Sequence, residues 1–162
     1  MPGLEDTYHW AHMVGPKIEG GEKTTGVLYH AREKPKAGGA PGFEWSFENR
    51  SCSLAPTNML LVRVMIGKVT DSSRLTEILC STPVRGGQPG WNCISWIREA
   101  LERIRADKKA LGTSVTEWDT IRNAAMTYCQ QKKDQHRFDG QGNFNMSKAP
   151  TYDLMQQKET IV

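Results

Sequence analysis

The sequence predicts an α+β fold: a small antiparallel sheet packed against a helix that opens with a cysteine. Two observations carry that expectation. Short strand-like segments occupy the first third of the chain, the clearest alternating with period two, and in a strand successive side chains face opposite sides of the sheet. Apolar residues spaced three and four apart dominate later segments, the pattern of helices that bury one face.

Taken in order, Tyr8-His9-Trp10-Ala11-His12-Met13-Val14-Gly15 reads as a short strand closed by Gly15-Pro16. Alternation groups His9 with Ala11 and Met13 on one face and His12 with Trp10 on the other, so only one of the two histidines can face a given partner. Gly26 to His30 is a second strand. The residues from Lys17 to Thr25, with Gly20-Gly21, form a hairpin connection slightly long for the commonest types. Antiparallel pairing then brings His9 and His30 within a few residues of each other across the sheet. Lys34 to Gly42 is rich in Pro and Gly and reads as a loop. Beyond it Phe43, Trp45 and Phe47 alternate with Glu44, Ser46 and Glu48, a half-buried strand whose aromatics serve the core. Asn58 to Val69, rich in Val, Leu, Met and Ile, predicts a central strand, with Arg63 reaching a carboxylate or an edge.

Asp71 or Ser72 caps a helix running to about Cys80 and ended before Pro83. In Trp91-Asn92-Cys93-Ile94-Ser95-Trp96-Ile97, Asn92 is a favoured N-cap residue, which makes Cys93 the first helical position. Gly87, Pro89 and Gly90 mark an irregular approach, and Ile97, Ala100, Leu101 and Ile104 form the inward face. Lys108-Lys109 and Gly112 supply the ending. Ser114-Val115-Thr116-Glu117 resembles a capping box for a further helix, with Trp118, Ile121, Ala125, Met126 and Cys129 as its inward stripe. From His136 the chain turns polar. Residues 1–140 therefore read as one domain and 141–162 as a polar tail, either wrapping the surface or disordered. The closing Thr160-Ile161-Val162 could add a strand to a partner sheet.

A chain of 162 residues is long enough to bury an ordinary single core. Its formal charge is only +3, and Lys and Arg are scattered among acids. The densest basic run, Lys132-Lys133 with His136-Arg137, is too small for a nucleic-acid face, so no nucleic-acid partner is expected. Met1 to Asp6 contains no apolar signal region, and no stretch approaches the roughly 18 apolar residues that span a bilayer. A cytoplasmic protein is expected, in which Cys52, Cys80, Cys93 and Cys129 stay reduced. No Cys-x-x-Cys or His-x-x-x-His pair suggests zinc, so neither metal nor other cofactor is expected.

The chemistry centres on Cys93. A helix start favours the thiolate through its free N–H groups and the positive end of the helix dipole. Such placement can lower a thiol from about 8.5 to roughly 3.5–7.5. Nucleophilic catalysis also needs a base and a group to orient it, and the two histidine-bearing strands offer both. In isolation Cys93 would read as a core thiol, since free cysteine is among the most buried residue types. The conjunction of cap, helix start, glycine-rich approach and two histidine strands points instead to a site.

These motifs (His9-Trp10-Ala11, Val14-Gly15, a strand ending in Tyr29-His30, and Asn92-Cys93 opening a helix) resemble the lecithin:retinol acyltransferase-like group. That group, with the NlpC/P60 enzymes, belongs to the papain-like cysteine enzymes, permuted so that the histidine strands precede the cysteine helix. The chain also resembles a family of small, uncharacterised fungal proteins over most of its length. The resemblance implies Cys93 as nucleophile, His9 as base and His30 as the residue orienting it. It implies a hydrolase or acyltransferase acting through an acyl-enzyme, or a peptidase or isopeptidase on the same scaffold; a catalytically silent binding module is the alternative. Ile94-Ser95 stands where the acyltransferases carry Glu-His, the separation of His9 from His30 is longer, and no apolar anchor follows the cysteine helix. Trp10, Trp91 and Trp96 could wall an apolar substrate site or belong to the core. The expected partner is a small-molecule, acyl or peptide substrate.

Overall fold

The computed structural model describes residues 5–16, 24–57 and 59–162. Its strands and helices are, in chain order, β1 (His12–Val14), β2 (Thr25–Pro35), β3 (Phe43–Ser53), β4 (Arg63–Met65), β5 (Gly67–Val69), α1 (Ser72–Ser81), α2 (Cys93–Asp107), β6 (Leu111–Ser114), α3 (Trp118–Asp134), β7 (Thr151–Asp153) and β8 (Lys158–Ile161). Among the described residues the fold is mixed α+β, with three α-helices and small sheets that are antiparallel except for one parallel pair.

The first sheet has the order β1-β2-β3, antiparallel throughout. The Lys34–Gly42 stretch, expected as a loop, forms the end of a long hairpin. Lys36 N–H bonds the Gly42 carbonyl at 3.2 Å, and the turn passes through Gly38 and Gly39 at φ 70° and 74°. That left-handed backbone is open to glycine at little cost, which is why the strands can close here. β2 and β3 pair in unbroken register, with His30 opposite Glu48 and Ala31 opposite Phe47. Tyr29 and Ala31 are buried against α2 residues Trp96, Ile97 and Leu101, so the sheet packs on the cysteine helix.

β1 is much shorter than the predicted Tyr8–Gly15 strand. Residues Glu5–Thr7 coil into a 3-10 turn, and His9 to Ala11 leave the sheet before pairing begins at His12. The alternation used to sort His9 from His12 therefore does not extend back to His9. The expected connection from Lys17 to Thr25 lies largely outside the described residues.

The predicted central strand Asn58–Val69 divides at Ile66, and Asn58 itself lies outside the described residues. β4 pairs in parallel with β7, whereas β5 pairs antiparallel with β6. Each flank of Ile66 already has a partner: Leu154 N–H bonds the Met65 carbonyl at 3.0 Å, and Val115 N–H bonds the Ile66 carbonyl at 2.7 Å. Gly67 is needed at the division, because a side chain there would come within 2.9 Å of the Ser114 Cβ. Arg63 is tied to β7 and to the chain ahead of β4. It donates to Thr151 Oγ1 at 3.0 Å and to the carbonyl of Leu54.

The segment 141–162, read from sequence as a polar tail, joins the body of the protein through β7 and β8. Ala149, Asp153 and Leu154 are buried there. Lys132 of α3 is only 1% exposed; it pairs with Glu159 of β8, donates to Gln135 and lies over the rings of Tyr128 and Phe144. Tyr128 donates to Glu159, and burial followed by that carboxylate raises its hydroxyl above the ordinary value.

The helix caps follow local chemistry, with one exception. Asp71 accepts the Arg74 N–H at 2.9 Å and starts α1 as expected. Lys108 closes α2 in the left-handed conformation. At α3, however, the Ser114–Glu117 box does not form: Ser114 is held in β6 opposite Gly67, and Glu117 occupies the cap position without a side-chain bond. The buried stripe is Ile121, Ala125, Tyr128, Cys129 and Lys132. Among the described residues no helix is long and apolar enough to cross a membrane.

His12 sits beneath this assembly, its ring edge-on to Trp96 at 6.0 Å. The residue as a whole is half-buried, but its Nε2 is sealed from solvent with no partner among the described residues. Burial lowers its pKa from 6.5 to about 4. The neutral ring is thus favoured by folding, so stability present above pH 6.5 is lost as pH falls toward 4. At about 1.4 kcal/mol per pH unit, the full loss from this group is about 3 kcal/mol. A His12→Phe variant keeps the ring and removes the titration. It is expected to lose less stability than wild type between pH 7 and 4.5, as read from urea midpoints; equal losses would show that His12 is not neutral by burial.

Candidate active site

The site begins with the cap of α2. Asn92 Oδ1 accepts the N–H groups of Ile94 at 3.0 Å and Ser95 at 3.2 Å, while Ser95 Oγ accepts the Asn92 N–H at 3.3 Å. This reciprocal capping box fixes Cys93 as the first helical residue, as the sequence predicts. The Trp96 N–H is taken by the Asn92 carbonyl, so the Cys93 N–H is the first-turn donor that the cap leaves over.

The N-terminal segment is strapped over this helix start. Asn92 Nδ2 donates to Asp6 Oδ1 at 3.2 Å, Arg122 of α3 pairs with Glu5 at 3.4 Å, and Lys133 bonds the Tyr8 hydroxyl. Trp10 donates its indole N–H to the Glu5 carbonyl at 3.0 Å and meets Trp118 edge to face at 5.0 Å. These ties bring the Trp10 backbone to Cys93, whose sulfur is approached by the N–H groups of Trp10, Ile94 and Cys93 itself.

Cys93 is buried, with 7% of its surface exposed. Burial holds its thiol above the ordinary value; the three backbone N–H groups favour the thiolate, and the Asp6 carboxylate works against it. The acid-shifted thiol expected from helix position alone is therefore not the resting state, because desolvation outweighs the helix start here.

The histidines form a chain. His9 Nε2 lies 2.7 Å from His30 Nδ1, and His30 Nε2 lies 2.9 Å from Glu48 Oε2. Although much of His9 is exposed, partial desolvation and then the neighbouring His30 lower its pKa, so its ring favours the neutral form. Glu48 is held below the ordinary carboxylate range, first by the His30 hydrogen bond and then by Arg32. Cys93 and His9 make no hydrogen bond to each other; the sulfur meets this chain through the backbone of Trp10, the next residue.

The three tryptophans separate. Trp10 and Trp91 are half-buried, Trp91 resting edge-on against Trp45 at 5.4 Å. Trp96 is fully buried, donates to the Thr82 carbonyl at 3.2 Å and lies between Phe47 and His12. It is core, since its helical position turns it under the sheet. Two surface depressions, of about 370 Å³ at Phe144, Lys148 and Thr160 and about 270 Å³ at Thr127, Gln131 and Tyr152, include none of Cys93, His9 or His30. Among the described residues no three His, Cys, Asp or Glu side chains are grouped to hold a metal ion.

A family model matches residues 1–161. The chain belongs to DUF6914, a family of unknown function. No match is found among curated proteins, nor among solved structures. In this DUF6914 chain, Glu48 and Asp6 are the site neighbours that sequence reasoning missed. Glu48 had a usable signal: reading Lys36–Gly42 as a hairpin turn sets the register that puts it opposite His30. Asp6 had none, because its partner Asn92 is distant in sequence.

The cap gives a direct test. Asn92→Ala removes both accepted bonds and the donation to Asp6 and is expected to cost about 1–2 kcal/mol in urea unfolding. Asn92→Ser retains an acceptor at the cap and should recover most of that loss. Equal midpoints for wild type and Asn92→Ala would mean that packing alone sets the helix start.

Proposed function

We propose that this protein is a thiol-dependent hydrolase or acyltransferase of permuted papain-like arrangement, with Cys93 as nucleophile, His9 as base and His30 orienting the base. The observation that carries the reading is the convergence at Trp10: its N–H is near enough to the Cys93 sulfur to favour the thiolate, while the adjacent His9 bonds His30 at 2.7 Å. With Nε2 engaged by His30, Nδ1 is the ring atom left to take the thiol proton.

In this mechanism the Cys93 side chain turns toward His9 Nδ1 when substrate displaces the backbone contacts of the sulfur, while His9 keeps its bond to His30. The proton passes from Sγ to His9 Nδ1, and the thiolate attacks an ester, thioester or amide carbonyl. The Cys93 N–H, which the cap leaves over, stabilises the oxyanion. Collapse expels the leaving group, which takes the proton from His9. The acyl group then passes to water, or to an amine or alcohol. A peptide or isopeptide bond is the same carbonyl chemistry with an amine leaving group. The four free cysteines suit a reducing compartment, which makes the cytosol its proposed location.

A second reading, a catalytically silent binding module, is favoured by the buried, raised thiol and by the missing bond between Cys93 and His9.

Alkylation of Cys93 by iodoacetamide across pH separates the two. In an enzyme the thiol draws on His9, so His9→Ala should move the midpoint upward by about one pH unit, slowing reaction near pH 7 about tenfold. A midpoint unmoved by His9→Ala would leave the silent module as the account.

A further inference from the structure

Glu48 is a carboxylate with a donor at each of its oxygens. Oε1 accepts from Arg32 Nη2 at 2.9 Å; Oε2 accepts from His30 at 2.9 Å and faces Arg50 Nε at 3.5 Å. Arg32 comes from β2 and Arg50 from β3, and neither can accept a hydrogen bond. A carboxylate between two guanidiniums remains ionised and can only accept. The hydrogen on that bond must therefore belong to His30 Nε2.

The consequence passes along the chain. With its proton on Nε2, a neutral His30 has a bare Nδ1, which can only accept. The 2.7 Å contact then requires His9 Nε2 to be the donor. A neutral His9 protonated on Nε2 is bare on Nδ1, the atom that a base must offer. We infer that Glu48 is the positioning residue of the site: through His30 it sets the tautomer of His9, so that His9 presents an unprotonated Nδ1.

The arrangement also provides for the charge that follows. When His9 Nδ1 takes a proton, the hydrogen between the rings can pass from His9 Nε2 to His30 Nδ1. One proton enters at Nδ1, one moves across the 2.7 Å contact, and the positive charge ends on His30 beside Glu48. No other reactant is needed. The catalytic value of this relay rests on His9 being the base for Cys93, but the tautomer assignment does not.

Nitrogen-15 NMR of the imidazole rings reads the tautomers directly at a pH where both rings are neutral. In wild type both His9 and His30 should show pyrrole-type Nε2 and pyridine-type Nδ1. In Glu48→Gln, whose amide can either donate or accept, both rings should move toward mixed tautomers, and Glu48→Asp should restore part of the preference. A wild-type spectrum with the proton on His9 Nδ1, or a Glu48→Gln spectrum identical to wild type, overturns the inference. The wild-type spectrum decides even if Glu48→Gln folds poorly. If the tautomers are as assigned but iodoacetamide reaction ignores His9→Ala, the positioning role stands and the enzymatic reading falls.

Discussion

The pairing of β2 with β3 is the constraint on which the rest of this structure depends. Side chains alternate between faces along a strand, so a slip of one residue would exchange the faces of His30, Arg32 and every neighbour. In the observed register His30 meets Glu48 across the hairpin, while Tyr29 and Ala31 enter the core beneath. The same alignment seats Phe47 over Trp96 at 5.5 Å. Three consecutive buried residues, Tyr29 to Ala31, show that both sheet faces are covered at this point. The polar chain ending at His9 and the apolar seat of α2 are thus products of one alignment.

Against this sheet the cysteine helix is placed by two independent devices. Its inward stripe, Ile97, Ala100, Leu101 and Ile104, fixes its rotation, and burial of each isoleucine and leucine contributes roughly 1.5–3 kcal/mol. Its cap fixes where it starts. The strap from Glu5 to Trp10 adds a cover held at both helices, through Asp6 to Asn92 and Glu5 to Arg122. That cover explains why the thiol is withdrawn at rest: the segment that brings His9 near also removes water from the sulfur.

Much of this was legible locally. Cap signals at Asp71 and Asn92 and the apolar stripe from Ile97 to Ile104 depend on residues within two turns of each other, and α1 and α2 lie where those signals put them. The Phe43–Glu48 alternation was legible for the same reason. What escaped depends on distant partners. Nothing near Ile66 announces that β4 will pair with β7 and β5 with β6. Ser114 has the chemistry of a cap, but Gly67 claims it for a strand. The segment 141–162 is polar on average, and it buries only a few residues, such as Ala149, Asp153 and Leu154. In the site, His9 with His30 could be read from two strand motifs, whereas Glu48 needed the hairpin register and the raised thiol needed the tertiary cover. Trp96 as core follows from which face of α2 meets the sheet.

The lysine buried in α3 ties distant stages of assembly together. Lys132 lies inside the protein with Glu159 of β8, far downstream, balancing its charge. An ammonium left without its counter-ion in the interior is strongly unfavourable. During synthesis on the ribosome, α3 can coil as soon as it emerges, but it cannot settle onto β4 and β7 until the β8 segment has followed it out. The final seating of this helix is therefore a late, non-local event, and a chain interrupted between the two would carry an unneutralised cation where its core should close.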